Sequence, residues 1–297
     1  MSVIPTMYQV SFNPDPPLTY FLEDDQSLSR LAIVPDRGGI VTEWTIQGQP
    51  ILYFDQERFQ DPSLSIRGGI PILFPICGNL PNNQYTIDGQ DYHLKQHGFA
   101  RDLPWQVMQQ QTQTCASLDL KLSHSDATLA VFPFLFELVI SYQLRGNTLR
   151  LQQRIANLGD RQMPFSLGLH PYFFCREKEA VSLQIPAKTY LDQRTGTTHD
   201  YHGALDLNQP ELDLAFTPIQ RPHMGFTDRS RNLSVEITFS DLYQTLVFWT
   251  VQSKDYLCLE PWSAPRNALN TGEQLAWVEP FSSIETWVEF TVSKNGM

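Results

Sequence analysis

Apolar residues recur at every second position along much of the chain, and that period is the strongest constraint on its fold. Leu138, Ile140, Tyr142 and Leu144 alternate with other residues, Gly146-Asn147 follows, and Leu149, Leu151, Gln153 and Ile155 resume the rhythm. A strand, a two-residue turn and a second strand produce this pattern, because successive side chains of a strand point to opposite faces. Leu118, Leu120 and Leu122 form another such series. So do Leu233, Val235, Ile237 and Phe239, and finally Ile284, Thr286, Val288, Phe290 and Val292. Asp88-Gly89, inside YTIDGQDYHL, marks a further hairpin. No stretch carries a long apolar stripe at helical spacing with caps, and 21 prolines and 16 glycines punctuate the chain throughout. Neither a composition break nor an internal repeat divides it. The expectation is an all-β fold, a large antiparallel β-sandwich of two or more packed sheets, with residues 1–297 as a single domain.

Composition narrows the partners. At 41% hydrophobic residues the chain can bury a large core, and its net charge of -11 repels phosphate backbones and anionic lipid. Nucleic acid and membrane surfaces are therefore not expected as partners. The most apolar run, residues 127–136, is too short to span a bilayer and contains Pro133. The first residues lack a basic segment followed by an apolar one, so no secretory signal is expected. Cys77, Cys115, Cys175 and Cys258 are scattered without a CxxC pair, which fits neither a disulfide framework nor a zinc knuckle and suggests a cytoplasmic protein.

Four stretches carry residues capable of chemistry. In SIRGGIPILFPICGNL, residues 65–80, Arg67 precedes Gly68-Gly69. Glycines let backbone approach a ligand, and Arg67 would offer it a forked donor; the alternative is a surface arginine before a turn. LKQHGFARDLPW, residues 94–105, sets Lys95, His97 and Arg101 among Phe99 and Trp105. Cations and aromatic faces suit a sugar, whose ring face is apolar and whose rim is hydroxylated; the alternative is a structural histidine. LGLHPYFF, residues 167–174, surrounds His170 with apolar groups, where an imidazole is either a satisfied core group or a reactive one. LCLEPWSAPRNALN, residues 257–270, ends an apolar strand at Glu260, before Pro261-Trp262. Burial beside an aromatic would raise its pKa towards the range useful to a base, whereas a solvated strand-end glutamate would do nothing.

Taken in order, these stretches resemble the aldose 1-epimerase (mutarotase) family over about residues 67–270. The hexose-6-phosphate mutarotases share an Arg-Gly-Gly-Ile-Pro run continuing to Phe-Pro and Gly, here Arg67 to Gly78, and a Gln-His-Gly-Phe-Ala-Arg run, here Gln96 to Arg101. The resemblance implies a galactose-mutarotase-like supersandwich and an isomerase that interconverts the α and β anomers of a hexose or hexose 6-phosphate. It also implies that His170 and Glu260 are the catalytic pair, that His97 binds the sugar, and that a carboxylate orients it. Asp213, before an apolar run, is the candidate for that carboxylate. Arg67 and Arg101, with Lys95 as a third donor, are candidates for holding an anionic group, and Phe99 and Trp262 for stacking on the sugar face. PWSAPRNALN is more similar to free-sugar mutarotases and to relatives encoded beside bacterial lactose genes, so the phosphate requirement stays open.

Ring opening needs one base and one acid, with neither metal nor nucleotide as cofactor. The expected partner is a small-molecule sugar or sugar phosphate, and the expected assembly a monomer or homodimer. Three other readings compete: a metal site built from the two histidines and the glutamate, a non-catalytic carbohydrate-binding module, and a regulatory subunit using the fold as a scaffold.

Overall fold

The computed structural model describes residues 7–294, and antiparallel strands dominate them. A five-stranded meander runs through Tyr8–Asn13, Thr19–Asp24, Ser29–Val34, Ile40–Ile46 and Gln49–Pro50. An eight-stranded sheet takes the spatial order Val181–Gln184, His223–Asp228, Leu233–Phe239, Ser282–Lys294, Thr148–Asn157, Phe136–Arg145, Ala116–Ser123 and Gln106–Gln111. The other large sheet runs Thr197–Asp200, Thr189–Asp192, Glu211–Phe216, Thr245–Val251, Tyr256–Trp262, Gly168–Leu169 and Ile72–Leu73, and Tyr172–Phe174 also pairs with Tyr256–Trp262. One continuous cluster of buried hydrophobic side chains draws on all three, from Leu22 and Leu31 through Leu138 and Leu151 to Leu246 and Leu259.

The period-two series become strands in the expected places. Phe136–Arg145 and Thr148–Asn157 pair with Leu144 opposite Leu149 and Leu138 opposite Ile155, so the whole apolar set falls on one face. Asp88 and Gly89 take positive φ values of 52° and 77°, the backbone that a tight hairpin with native twist requires. Sheet edges are protected by composition: Gln106–Gln111 and Thr197–Asp200 expose nearly every polar residue they contain. Among the described residues the α-helices are short, Gln56–Gln60, Asp126–Leu129 and Ala268–Thr271, and no helix is long and apolar enough to cross a membrane.

One region departs from simple alternation. In Tyr256–Trp262 every residue is buried, and in Thr245–Val251 all but the last. Both faces of these central strands are covered. Leu246, Phe248, Leu257 and Leu259 point into the main core. The opposite face carries Val247, Trp249, Cys258, Glu260 and Trp262, and cross-strand register aligns this face with its neighbours: Asp213 opposite Trp249, Val247 opposite Glu260, and Cys258 opposite both Trp249 and Tyr172. Period two thus gathers polar groups from separate strands onto one surface behind the core.

Candidate active site

That surface is the floor of a cavity of about 180 Å³. Arg67, His97, Arg101, His170, Asp213, Glu260 and Trp262 all line it, drawn together from strands and loops far apart in sequence. Tyr172, Glu211, Trp249 and Arg266 line it too.

His170 sits in the gap between Gly168–Leu169 and Tyr172–Phe174, where Pro171 interrupts the strand. Its own backbone N–H donates to Pro71 O at 3.0 Å, and that of Tyr172 donates to Gly69 O at 2.9 Å, so the arginine-bearing loop docks directly alongside. The imidazole stacks on the Tyr172 ring, with centroids 4.7 Å apart and planes 10° from parallel, and meets Trp249 edge-on. Its Nε2 lies 3.3 Å from Glu260 Oε1. The second Glu260 oxygen accepts the Trp262 indole N–H at 3.0 Å. Both members of the pair are buried, Glu260 at 1% exposure and His170 at 7%. Burial raises the Glu260 carboxyl well above its ordinary range, and neighbouring Asp213 adds to the effect. Burial also holds the His170 imidazole well below its ordinary value, assisted by the positive charges of Arg101 and Arg67.

His97 is fixed by a reciprocal pair of bonds. Its backbone N–H donates to Gly78 O at 2.7 Å, and the Gly78 N–H donates to His97 Nδ1 at 3.1 Å. Nδ1 is thus an acceptor, and a neutral ring carries its proton on Nε2 as a donor. Burial, then Arg101, holds His97 in that neutral form. The backbone bends here through φ values of 68° at His97 and 70° at Gly98.

Arg67 lies over Trp249, its guanidinium carbon 4.9 Å from the ring centroid, and close to Tyr172. Arg101 donates to Gln96 O at 3.0 Å, and its Nε is buried without a partner. Among the described residues neither arginine has a carboxylate within ion-pair distance, so both cations remain available to an incoming anion. Asp213 is different. Arg266 Nη2 donates to its Oδ2 at 2.7 Å and Gln193 Nε2 to its Oδ1 at 2.8 Å. Burial raises the Asp213 carboxyl, while Arg266 opposes the shift.

Two sequence candidates lie elsewhere. The Lys95 side chain is exposed and does not line the cavity, to which the turn from Lys95 to Gly98 brings Gln96 and His97 instead. Phe99 is half-buried against the core, stacked on Phe136 with centroids 5.6 Å apart and packed against Phe74, and does not line the cavity. Trp262 reaches the cavity but spends its indole N–H on Glu260 and turns a ring face to the edge of His97. The expectation for Gly68-Gly69 also changes. A Cβ on Gly68 would come within 2.5 Å of Phe54 Cα, and one on Gly69 would collide with Val41 O. These glycines admit neighbouring protein backbone, not a ligand, and that close packing is what carries Arg67 to the site. Sequence reasoning missed Arg266, Tyr172 and Trp249. The first two lie within the quoted stretches, whereas Trp249 sits in a run that reads as plain core.

Comparison with known proteins agrees with this architecture. The sequence model of the aldose 1-epimerase family matches residues 21–282. The Slr1438 protein of Synechocystis sp. PCC 6803 has a solved structure that superposes with a TM-score of 0.94 at 70% identity, covering 97% of this chain and 100% of that one. A galactose mutarotase-like protein from Clostridium acetobutylicum superposes with a TM-score of 0.81 at 20% identity, over 97% of this chain and 99% of that one. A protein of Cenchrus ciliaris, provisionally named a glucose-6-phosphate 1-epimerase, is 26% identical over 249 residues, 75% of this chain and 72% of its own length. The chain is a mutarotase-like β-sandwich and belongs to the aldose 1-epimerase family of isomerases.

Proposed function

We propose that the cavity interconverts the α and β anomers of a hexose, with a 6-phosphorylated hexose as the preferred substrate, and that Glu260 and His170 transfer the protons. The observation that carries this reading is the buried contact of 3.3 Å between His170 Nε2 and Glu260 Oε1, beside two arginines without carboxylate partners. Mutarotation needs an acid and a base within reach of one sugar and nothing else.

In the forward step Glu260, as carboxylate, takes the proton of the C1 hydroxyl. The C1–O1 bond becomes a carbonyl, the bond from C1 to the ring oxygen breaks, and that oxygen receives the proton from His170. Rotation about C1–C2 presents the other face of the aldehyde. Reclosure reverses each transfer, so no proton is gained or lost. His97, donating through Nε2–H, stabilises charge developing on a sugar oxygen, and Asp213, held by Arg266 and Gln193, accepts from a sugar hydroxyl. General acid and base transfer each supply about 10²–10⁴ in rate.

The phosphate has a second part in this scheme. The forward step needs the proton on His170, whose affinity for it is held below the ordinary imidazole value. Arg101 and Arg67 are, after burial, the main influences holding His170 down. A phosphate dianion at those arginines offsets their charge and favours protonation of the imidazole. The core shared by the three large sheets supports treating the described residues, 7–294, as one domain. The test is an anomerisation assay on galactose, glucose and glucose 6-phosphate side by side. Acceleration greatest with glucose 6-phosphate is expected. Sugar binding without faster anomer exchange would make the protein a binding module instead.

A further inference from the structure

We propose that the floor of the cavity is also a binding site for one soft divalent cation such as zinc, ligated by His170, Cys258 and Glu260, and that the metal inhibits by excluding the sugar. The ligand atoms of these three buried side chains all lie within 4.8 Å of one another, and His170 Nε2 is 3.3 Å from Glu260 Oε1. Tetrahedral zinc with bonds of about 2.0–2.3 Å holds its ligands roughly 3.3–3.8 Å apart, so small side-chain rotations close the set.

The sheet explains the grouping. Cys258 and Glu260 stand two residues apart on the same strand face, and His170 precedes Tyr172, the residue paired with Cys258. Proton transfer to a sugar has no use for Cys258, which lies beneath the cavity lining and is fully buried. A thiolate is the ligand that selects zinc or cobalt over magnesium and calcium. Three protein ligands leave a fourth position open towards the cavity, the arrangement of an accessible zinc site. Charge also balances: a thiolate and a carboxylate cancel a divalent ion, and the filled site adds no net charge to the arginine-lined cavity. Only the competition with sugar rests on the mutarotase reading; ligation does not.

Cobalt(II) serves as the probe, because thiolate ligation gives an intense near-ultraviolet charge-transfer band. Metal-free full-length protein titrated with cobalt should show this band, saturating at one equivalent. Zinc should abolish it, and saturating galactose or glucose 6-phosphate should suppress it. Cys258→Ser and Cys258→Ala should lack the band and lose sensitivity to zinc inhibition by at least about tenfold, with turnover in chelator unchanged. Cys115→Ala, at the half-buried cysteine, should keep it. X-ray absorption on the wild-type cobalt protein should count one sulfur ligand, a reading that needs no variant to fold. Absence of sulfur, or a band that survives in the Cys258 variants or vanishes in Cys115→Ala, overturns the site. A band with no measurable mutarotation leaves the metal site standing and removes the proposed function instead.

Discussion

The proposed base Glu260 and the proposed acid His170 lie 3.3 Å apart, and each is testable alone. Glu260→Gln keeps the bond from Trp262 but removes the base, and His170→Asn removes the acid. Each change should lower kcat by about 10²–10⁴ while circular dichroism stays unchanged. Near-normal turnover in either variant rejects the assignment. The pH profile follows from the same pair, which works with a single proton between its members. The proton affinity of His170 is held down first by burial and then by Arg101 and Arg67; Arg266 acts in the same sense. The acid limb of kcat/KM should therefore lie below the ordinary imidazole value of about 6.5. The Glu260 carboxyl is raised by burial and then by Asp213, while Trp262, Arg266 and Arg67 oppose the rise. The alkaline limb should lie well above the ordinary carboxylate value of about 4.3. Arg101→Gln removes a charge that lowers His170, so the acid limb should move to higher pH. Profiles on galactose, with chelator present, measure this without interference from substrate phosphate. An acid limb that stays put in the variant shows that the Arg101 charge does not act on His170.

Glycines separate two kinds of turn at the scale of elements. Gly89, in the hairpin between Gln84–Ile87 and Gln90–His93, has open space around it, so Gly89→Ala meets only the backbone cost of positive φ. It should lower unfolding free energy by about 1–2 kcal/mol in denaturant titrations and leave activity intact. Gly78 also has positive φ, but a Cβ there would collide with the Arg266 stem, and its N–H orients His97. Gly78→Ala should cost more stability than Gly89→Ala and should also raise KM, because it displaces both His97 and the partner of Asp213. Equal effects at the two glycines would mean that the Gly78 turn has no part in shaping the site. Strands such as Phe136–Arg145 were legible in the sequence because one buried face writes a period of two into the residues. Trp249 was not, since its strand is covered on both faces and period two vanishes from its composition. Lys95 and Phe99 misled because nearness to His97 along the chain says nothing about direction, and the positive φ at His97 and Gly98 turns the loop between them. Arg266 stood in plain view within a quoted stretch, but its value depends on Asp213, which arrives from a strand more than fifty residues away.

For the whole molecule, the proposed preference for a sugar phosphate turns on the distribution of charge. A net charge of -11 repels a sugar phosphate at long range, yet the cavity presents Arg67 and Arg101 without carboxylate partners and offsets Arg266 with Asp213. Long-range repulsion is screened within about 8 Å at physiological ionic strength, whereas partly buried charges act on a bound group with little screening. The local field therefore dominates once the substrate enters. Arg67 has the clearer geometry, since its guanidinium carbon lies 4.9 Å from the Trp249 ring centroid, and in the proposed function its fork would receive the phosphate. Arg67→Ala should raise KM for glucose 6-phosphate by tenfold or more, about 1.4 kcal/mol, and leave KM for free glucose nearly unchanged. Arg67→Lys should restore little of the loss, because an ammonium supplies the charge without the paired donors or the stacking. Rescue by lysine would reduce the role of Arg67 to net charge. Equal losses on glucose and glucose 6-phosphate would show that Arg67 braces the loop beside His170, and that unphosphorylated aldoses are the substrates.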